Sequence, residues 1–116
     1  MSERIKKYLV DIQIAINDIE EFLGEKREFK KYQSDKMLRN AIERKLITIG
    51  EAMNRILTLN PEITINHSRR IVQFRNKITH EYDAIQDENV WAIIINHLPN
   101  LKIEVLHLIN SDQNTK

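Results

Sequence analysis

The stretch from Ser2 to Gly24, SERIKKYLVDIQIAINDIEEFLG, decides the fold class. Its residues Ile5, Leu9, Ile12, Ile16, Ile19 and Leu23 recur in steps of three and four, the spacing that gathers side chains on one face of an α-helix. Ser2 is suited to cap the first free backbone N–H groups, and Gly24 to end the last turn. Tyr8, Ala15 and Phe22 widen the stripe, whereas Ile14 falls off it. A single amphipathic helix cannot bury its own face, so the rest of the chain must supply partners.

The same period continues beyond it. Residues Glu25 to Gln33 are charged and aperiodic, and read as a solvated connection or a frayed helix end. Ser34 and Asp35 then open a long helix through Met37, Leu38, Ala41, Ile42, Ile49, Ala52, Met53, Ile56 and Leu57, which must stop near Asn60 because Pro61 follows. Gly50 stands inside that helix, where it costs up to about 1 kcal/mol against alanine, and so signals a close approach by a neighbour. Arg44 and Glu51, seven residues apart, share nearly one face, either as an exposed pair or as charged contacts lining a cleft. A third helix is expected from Ser68 to about His80. A fourth starts at Asp87 and runs through Val90, Trp91, Ile94, Ile95, Leu98, Leu101, Val105 and Leu108, kinked or broken by Pro99. The expectation is an all-α bundle of four antiparallel helices, one domain over residues 1–110, with a disordered polar tail at 111–116.

Composition narrows the chemistry. The chain has 116 residues, with two Gly, two Pro and no Cys, and balances 18 Lys+Arg against 17 Asp+Glu. So few glycines argue against Gly-rich phosphate loops and dinucleotide-binding folds. The absence of cysteine excludes disulfides, thiolate zinc sites and a Cys nucleophile, and suits a reducing, cytoplasmic setting. No apolar run approaches the roughly 20 residues needed to span a bilayer, and residues 1–7 lead into an amphipathic pattern rather than a signal-peptide core. His67, His97 and His107 lack the spacing with carboxylates that a metal site needs, and no metal or cofactor is expected.

The near-neutral total hides a local asymmetry. From Ile63 to His80 the chain carries Arg69, Arg70, Arg75 and Lys77 with two histidines and no acid, and then reverses sign with Glu81, Asp83, Asp87 and Glu88. The end of the basic stretch reads Arg75, Asn76, Lys77, Ile78, Thr79, His80, Glu81, Tyr82. A guanidinium offers fixed donors to phosphate oxygens, and an imidazole exchanges protons near neutral pH. Together they suit RNA cleavage in which the ribose 2′-OH attacks its own phosphate, with Arg75 stabilising developing charge and His80 moving the proton. Asn76 either joins this cluster or faces solvent. At about 100° per residue Arg75 and Tyr82 share a face, while His80 lies about 140° from Arg75. One histidine does not easily serve both ends of the reaction, which suggests a second copy across a shared cleft. A purely structural reading is also open: Arg75 paired with Glu81 or Asp83, His80 at a helix end, and Tyr82 in packing.

Arg75, His80 and Tyr82 resemble, residue for residue, the Arg, four residues, His, one residue, Tyr motif of the HepT-like toxins of the HEPN superfamily. The stretch AIERKLITIGEA at 41–52 is similar to that family's second-helix segment, and FRNKITHEYDAIQDENVWAIIINHLPNL at 74–101 to its motif segment with the Val-Trp and Leu-Pro positions that follow. The resemblance implies a four- or five-helix up-and-down bundle, a homodimer, and a metal-independent endoribonuclease with Arg75 and His80 catalytic. Asn76, Lys77, Arg44, Glu51, Arg69 and Arg70 would be supporting or RNA-binding residues, and transfer RNA is a family-based expectation for the substrate. It further implies a type VII toxin–antitoxin pair, in which a minimal nucleotidyltransferase antitoxin transfers AMP onto Tyr82 and closes the cleft with charge and bulk.

The chain departs from the family at Gln73 and Phe74, where relatives often carry Gly-Met, and at Glu81, where many carry a small residue. An acid beside His80 can raise its pKa, orient its ring, or repel RNA phosphate. Two other functions fit the residues. One is a non-catalytic HEPN subunit that binds a nucleotide or a partner, and the other is the antitoxin itself.

Overall fold

The computed structural model describes residues 1–80 and 86–114, with the side chains of His80 and of residues 112–114 outside the description. The first helix, α1 (Glu3–Leu23), forms as its caps require: the Ser2 hydroxyl accepts from the Ile5 N–H at 3.1 Å, and Gly24 terminates the helix at φ +73°. Its stripe of Ile5, Leu9, Ile12, Ala15, Ile16, Ile19 and Leu23 is buried, and Ile14 is exposed. Phe22, expected on the stripe, is 40% exposed instead. It sits between Leu23, which faces the core, and the polar Glu21, at the margin of the face.

The connection after α1 is where the local pattern misleads. Phe29–Ser34 forms a short helix, α2, rather than a solvated link. Phe29 and Tyr32, one turn apart, both meet Trp91, with ring centroids 5.9 and 5.5 Å away, and Tyr32 is fully buried. This helix is held by a tertiary aromatic contact, which no periodicity within six residues can announce.

Asp35 then caps α3 (Lys36–Leu59), its Oδ1 accepting from the Leu38 N–H at 3.0 Å. The core face of α3 is Ile42, Leu46, Ile49, Gly50, Ala52, Met53, Ile56 and Leu57, and Met37 is 82% exposed. Next comes α4 (Ser68–His80). The expected break at Pro99 is present: α5 (Asp87–Asn96) ends at His97, and α6 begins at Leu98. Proline donates no hydrogen bond and crowds the carbonyl four residues back, so a continuous helix cannot pass. α6 runs to Asn114, four residues into the stretch expected to be a tail.

The described residues form an all-helical bundle with no strand. α3 lies between α1 and α4, and α6 packs on the other side of α1, giving the order α4, α3, α1, α6. Ion pairs Lys45–Asp18 at 2.9 Å and Lys102–Glu20 at 2.8 Å join α1 to α3 and to α6. None of the described helices is long and apolar enough to cross a membrane.

Candidate active site

The close approach that Gly50 signals is made by Arg75. A Cβ built on Gly50 would overlap the Cβ of Arg75, lie 2.7 Å from its Cγ and 3.4 Å from the Ile71 carbonyl. Glycine therefore lets α4 settle onto α3 with the Arg75 stem flat against the α3 backbone. The guanidinium is then held at its end: Nη2 reaches Glu51 Oε1 at 3.4 Å, and Nη1 donates to Asn76 Oδ1 at 2.7 Å. Its Nε is buried and has no hydrogen-bond partner among the described residues. The side chain is 25% exposed and Glu51 is 55% exposed, so one edge of the guanidinium remains open to solvent beside a weak, water-screened ion pair.

Arg75, Glu51 and Asn76 are thus brought together, and Gly50 makes room for them. α4 stays helical through His80, so positions 75 and 80 differ by about 140° around the helix and about 7.5 Å along it. Tyr82 and Glu81 lie outside the described residues. Arg44 is exposed two turns before Glu51 on α3.

The basic run is divided by the helix that carries it. Arg69 lines a groove of about 280 Å³ along the α3–α4 seam, with Gln73 and Val72 from α4 and Asn54, Leu57 and Thr58 from α3. Arg70 instead borders a small apolar cavity of about 50 Å³ on the other flank, with Phe74, Ile93 and Leu101 among its lining. Lys77 is exposed and about 160° from Arg75 around α4. Asn54, Thr58 and Gln73 were missed from sequence. Their signal was present as a spacing of three and four residues from Glu51 and from Arg69, but amides and a hydroxyl on helix surfaces are too common to stand out.

His67 and His97 meet edge to face at 5.6 Å, and His67 has φ +62°. Among the described residues no three His, Cys, Asp or Glu side chains come close enough to hold a metal ion. Two groups are shifted near α2. Burial pushes the Glu43 carboxyl above its ordinary range, with the nearby Asp87 adding to the rise and Arg39 opposing it. Burial, then Glu43 and Asp87, also raise the Tyr32 phenol, whose buried Oη has no hydrogen-bond partner among the described residues.

Residues 12–108 match a family described as "Ribonuclease HepT-like". The chain belongs to this HepT-like ribonuclease family. Two proteins of Methanocaldococcus jannaschii that carry RNase names are similar to it: one is 31% identical over 110 residues, covering 90% of this chain and 87% of its own, and the other 34% over 107, covering 90% and 97%. A Thermococcus cleftensis protein named "Probable ribonuclease HepT" is 35% identical over 106 residues, covering 88% of this chain and 93% of its own. No solved structure matches the chain. The matched span of this HepT-like ribonuclease contains both Gly50–Glu51 and the Arg75 to Tyr82 motif, so the contact between α3 and α4 lies within the family's shared domain.

Proposed function

We propose that this HepT-like ribonuclease is the toxin of a toxin–antitoxin pair and cuts RNA internally without a metal ion. The observation that carries the reading is the held guanidinium of Arg75, gripped by Glu51 and Asn76 with its stem on Gly50, five residues before the only histidine of its motif. In the reaction the ribose 2′ oxygen attacks the adjacent phosphorus while His80 takes its proton. The bond from phosphorus to the 5′ oxygen breaks, and that oxygen gains a proton from the second copy's histidine, so both proton transfers are served by a homodimer with one shared cleft. Arg75 donates to the phosphoryl oxygens as their charge grows. The products are a 2′,3′-cyclic phosphate and a 5′ hydroxyl. Transfer RNA is the substrate the family reading favours.

Neutralisation follows from the same cleft. A minimal nucleotidyltransferase would move AMP from ATP onto the Tyr82 oxygen, releasing pyrophosphate and leaving a phosphodiester anion beside the catalytic cations. Asn76, Lys77, Arg44, Glu51, Arg69 and Arg70 form the supporting set, and the setting is the cytoplasm. Co-expression with the partner enzyme, followed by intact-mass measurement, tests this part. Mass increments of whole AMP groups that vanish in Tyr82→Phe support it, and an unmodified chain that is nonetheless harmless contradicts it. A second reading has one observation in its favour: Arg75 already has an acidic partner in Glu51, as expected if Arg75 only holds a nucleotide phosphate and no bond is broken.

A further inference from the structure

We infer that the groove along the α3–α4 seam is a subsite for the RNA nucleotide next to the scissile phosphate, with Arg69 holding its phosphate and Asn54 and Gln73 reading its base. The inference rests on the ribonuclease reading above and adds the element that would give the enzyme sequence preference.

The register of the two helices carries it. Arg69, Gln73, Asn76 and His80 are spaced by four, three and four residues, so their positions fall within about 60° of one another around α4. Glu51, Asn54 and Thr58 are spaced by three and four, and share a similar sector of α3. The Gly50–Arg75 contact fixes how these stripes face each other, and Glu51 and Asn76, which hold the Arg75 guanidinium, each stand three residues from a residue of the groove, Asn54 and Gln73. The subsite therefore begins about one helical turn from the residues that hold the Arg75 guanidinium and runs back toward the start of α4, and the register position of His80 belongs to the same flank. Arg70 lies off this line, against the apolar cavity on the opposite flank.

The lining suits a nucleotide. Leu57 and Val72 give an apolar floor, on which the face of a base can lie. Each carboxamide offers a donor and an acceptor, the combination a base edge presents. Among the described residues neither the Asn54 nor the Gln73 carboxamide has a hydrogen-bond partner within the chain, and Arg69 has no acidic partner. Arg69 stands about 9 Å along and about 120° around α4 from Arg75, whose guanidinium turns toward Asn76 on the Arg69 stripe, so the two cations would take different phosphates of the strand. The volume of about 280 Å³ admits one small group rather than a folded partner.

Two measurements test it. Binding of an uncleavable 2′-O-methyl oligoribonucleotide, followed by fluorescence anisotropy, should weaken roughly tenfold in Arg69→Gln, and the slope of log affinity against log salt should fall by about 0.7, the share of one phosphate on a single strand. Lys30→Gln, which removes the same charge from α2, serves as the comparison. Cleavage of an RNA pool randomised in sequence, with the ends sequenced, should show a base preference beside the cut that flattens in the Asn54→Ala, Gln73→Ala double variant, with KM raised and kcat retained. If Arg69→Gln binds like Lys30→Gln and the double variant keeps the wild-type preference, the subsite is wrong even though the enzyme cuts RNA. A wild type that binds through Arg69 but never cuts overturns the ribonuclease reading and leaves the groove standing.

Discussion

At position 50 the helix gives up a side chain, and Arg75 occupies the space. Alanine there would gain up to about 1 kcal/mol of helix propensity, yet its Cβ would collide with the Arg75 stem, and overpacking of this kind costs about 1–3 kcal/mol. Gly50→Ala should therefore lower stability by about 1–2 kcal/mol, seen as a Tm drop of about 4–8 °C, and reduce cleavage at least about tenfold because the guanidinium shifts. A variant with normal Tm and full activity would show that α4 does not rest on this residue. Arg75→Lys keeps the charge but loses the fork that spans Glu51 and Asn76, so cleavage should fall about 10²-fold while the helical circular dichroism signal is unchanged. Sequence alone made a glycine in mid-helix suspicious. It could not name Arg75 as the neighbour, because the register between α3 and α4 is set by packing along both helices rather than by local pattern.

Among the elements, α1 and α3 were legible from end to end, since each has a side-chain cap, a regular apolar stripe and a defined stop. The break between α5 and α6 was equally plain from Pro99. α2 was not, because the buried Tyr32 and the half-buried Phe29 pack on Trp91, about sixty residues away in sequence. That aromatic cluster makes two predictions. Tyr32→Phe removes a buried hydroxyl that has no partner among the described residues, so it should leave stability unchanged or raise it by up to about 1 kcal/mol in denaturant unfolding. Glu43 has a folded-state pKa above its unfolded value, so the folded protein holds that proton more tightly. Stability is then lost as pH rises from the ordinary carboxylate range through the raised pKa. Glu43→Gln removes this loss, and its Tm should exceed that of wild type at pH 7 but match it near pH 4. Equal differences at both pH values would mean that Glu43 ionises normally.

The whole molecule measures 47 × 31 × 19 Å, about two helix layers thick. The Arg75 cluster lies at the surface of this slab. The proposed shared cleft between two copies is tested by mixing experiments. Adding His80→Ala protein to wild type should depress activity more steeply than dilution, as mixed dimers form, whereas a strictly proportional fall would favour independent protomers. The formal charge of +1 also confines the contact with RNA to a short stretch, so affinity should depend only modestly on salt. Of the basic run, the order was readable in the sequence but the grouping was not: the helix turns Arg70 and Lys77 to one side and Arg69 to another, about 80–100° away, although they are close in sequence. The central claim is that Arg75 and His80 cut RNA with the substrate's own 2′ oxygen as nucleophile. The measurement is cleavage of transfer RNA by the purified chain in excess chelator, with the new ends identified chemically. The account predicts 2′,3′-cyclic phosphate and 5′ hydroxyl ends from wild type and none from His80→Ala at unchanged helical content. Continued cleavage by His80→Ala, or ends bearing a 5′ phosphate, would contradict it.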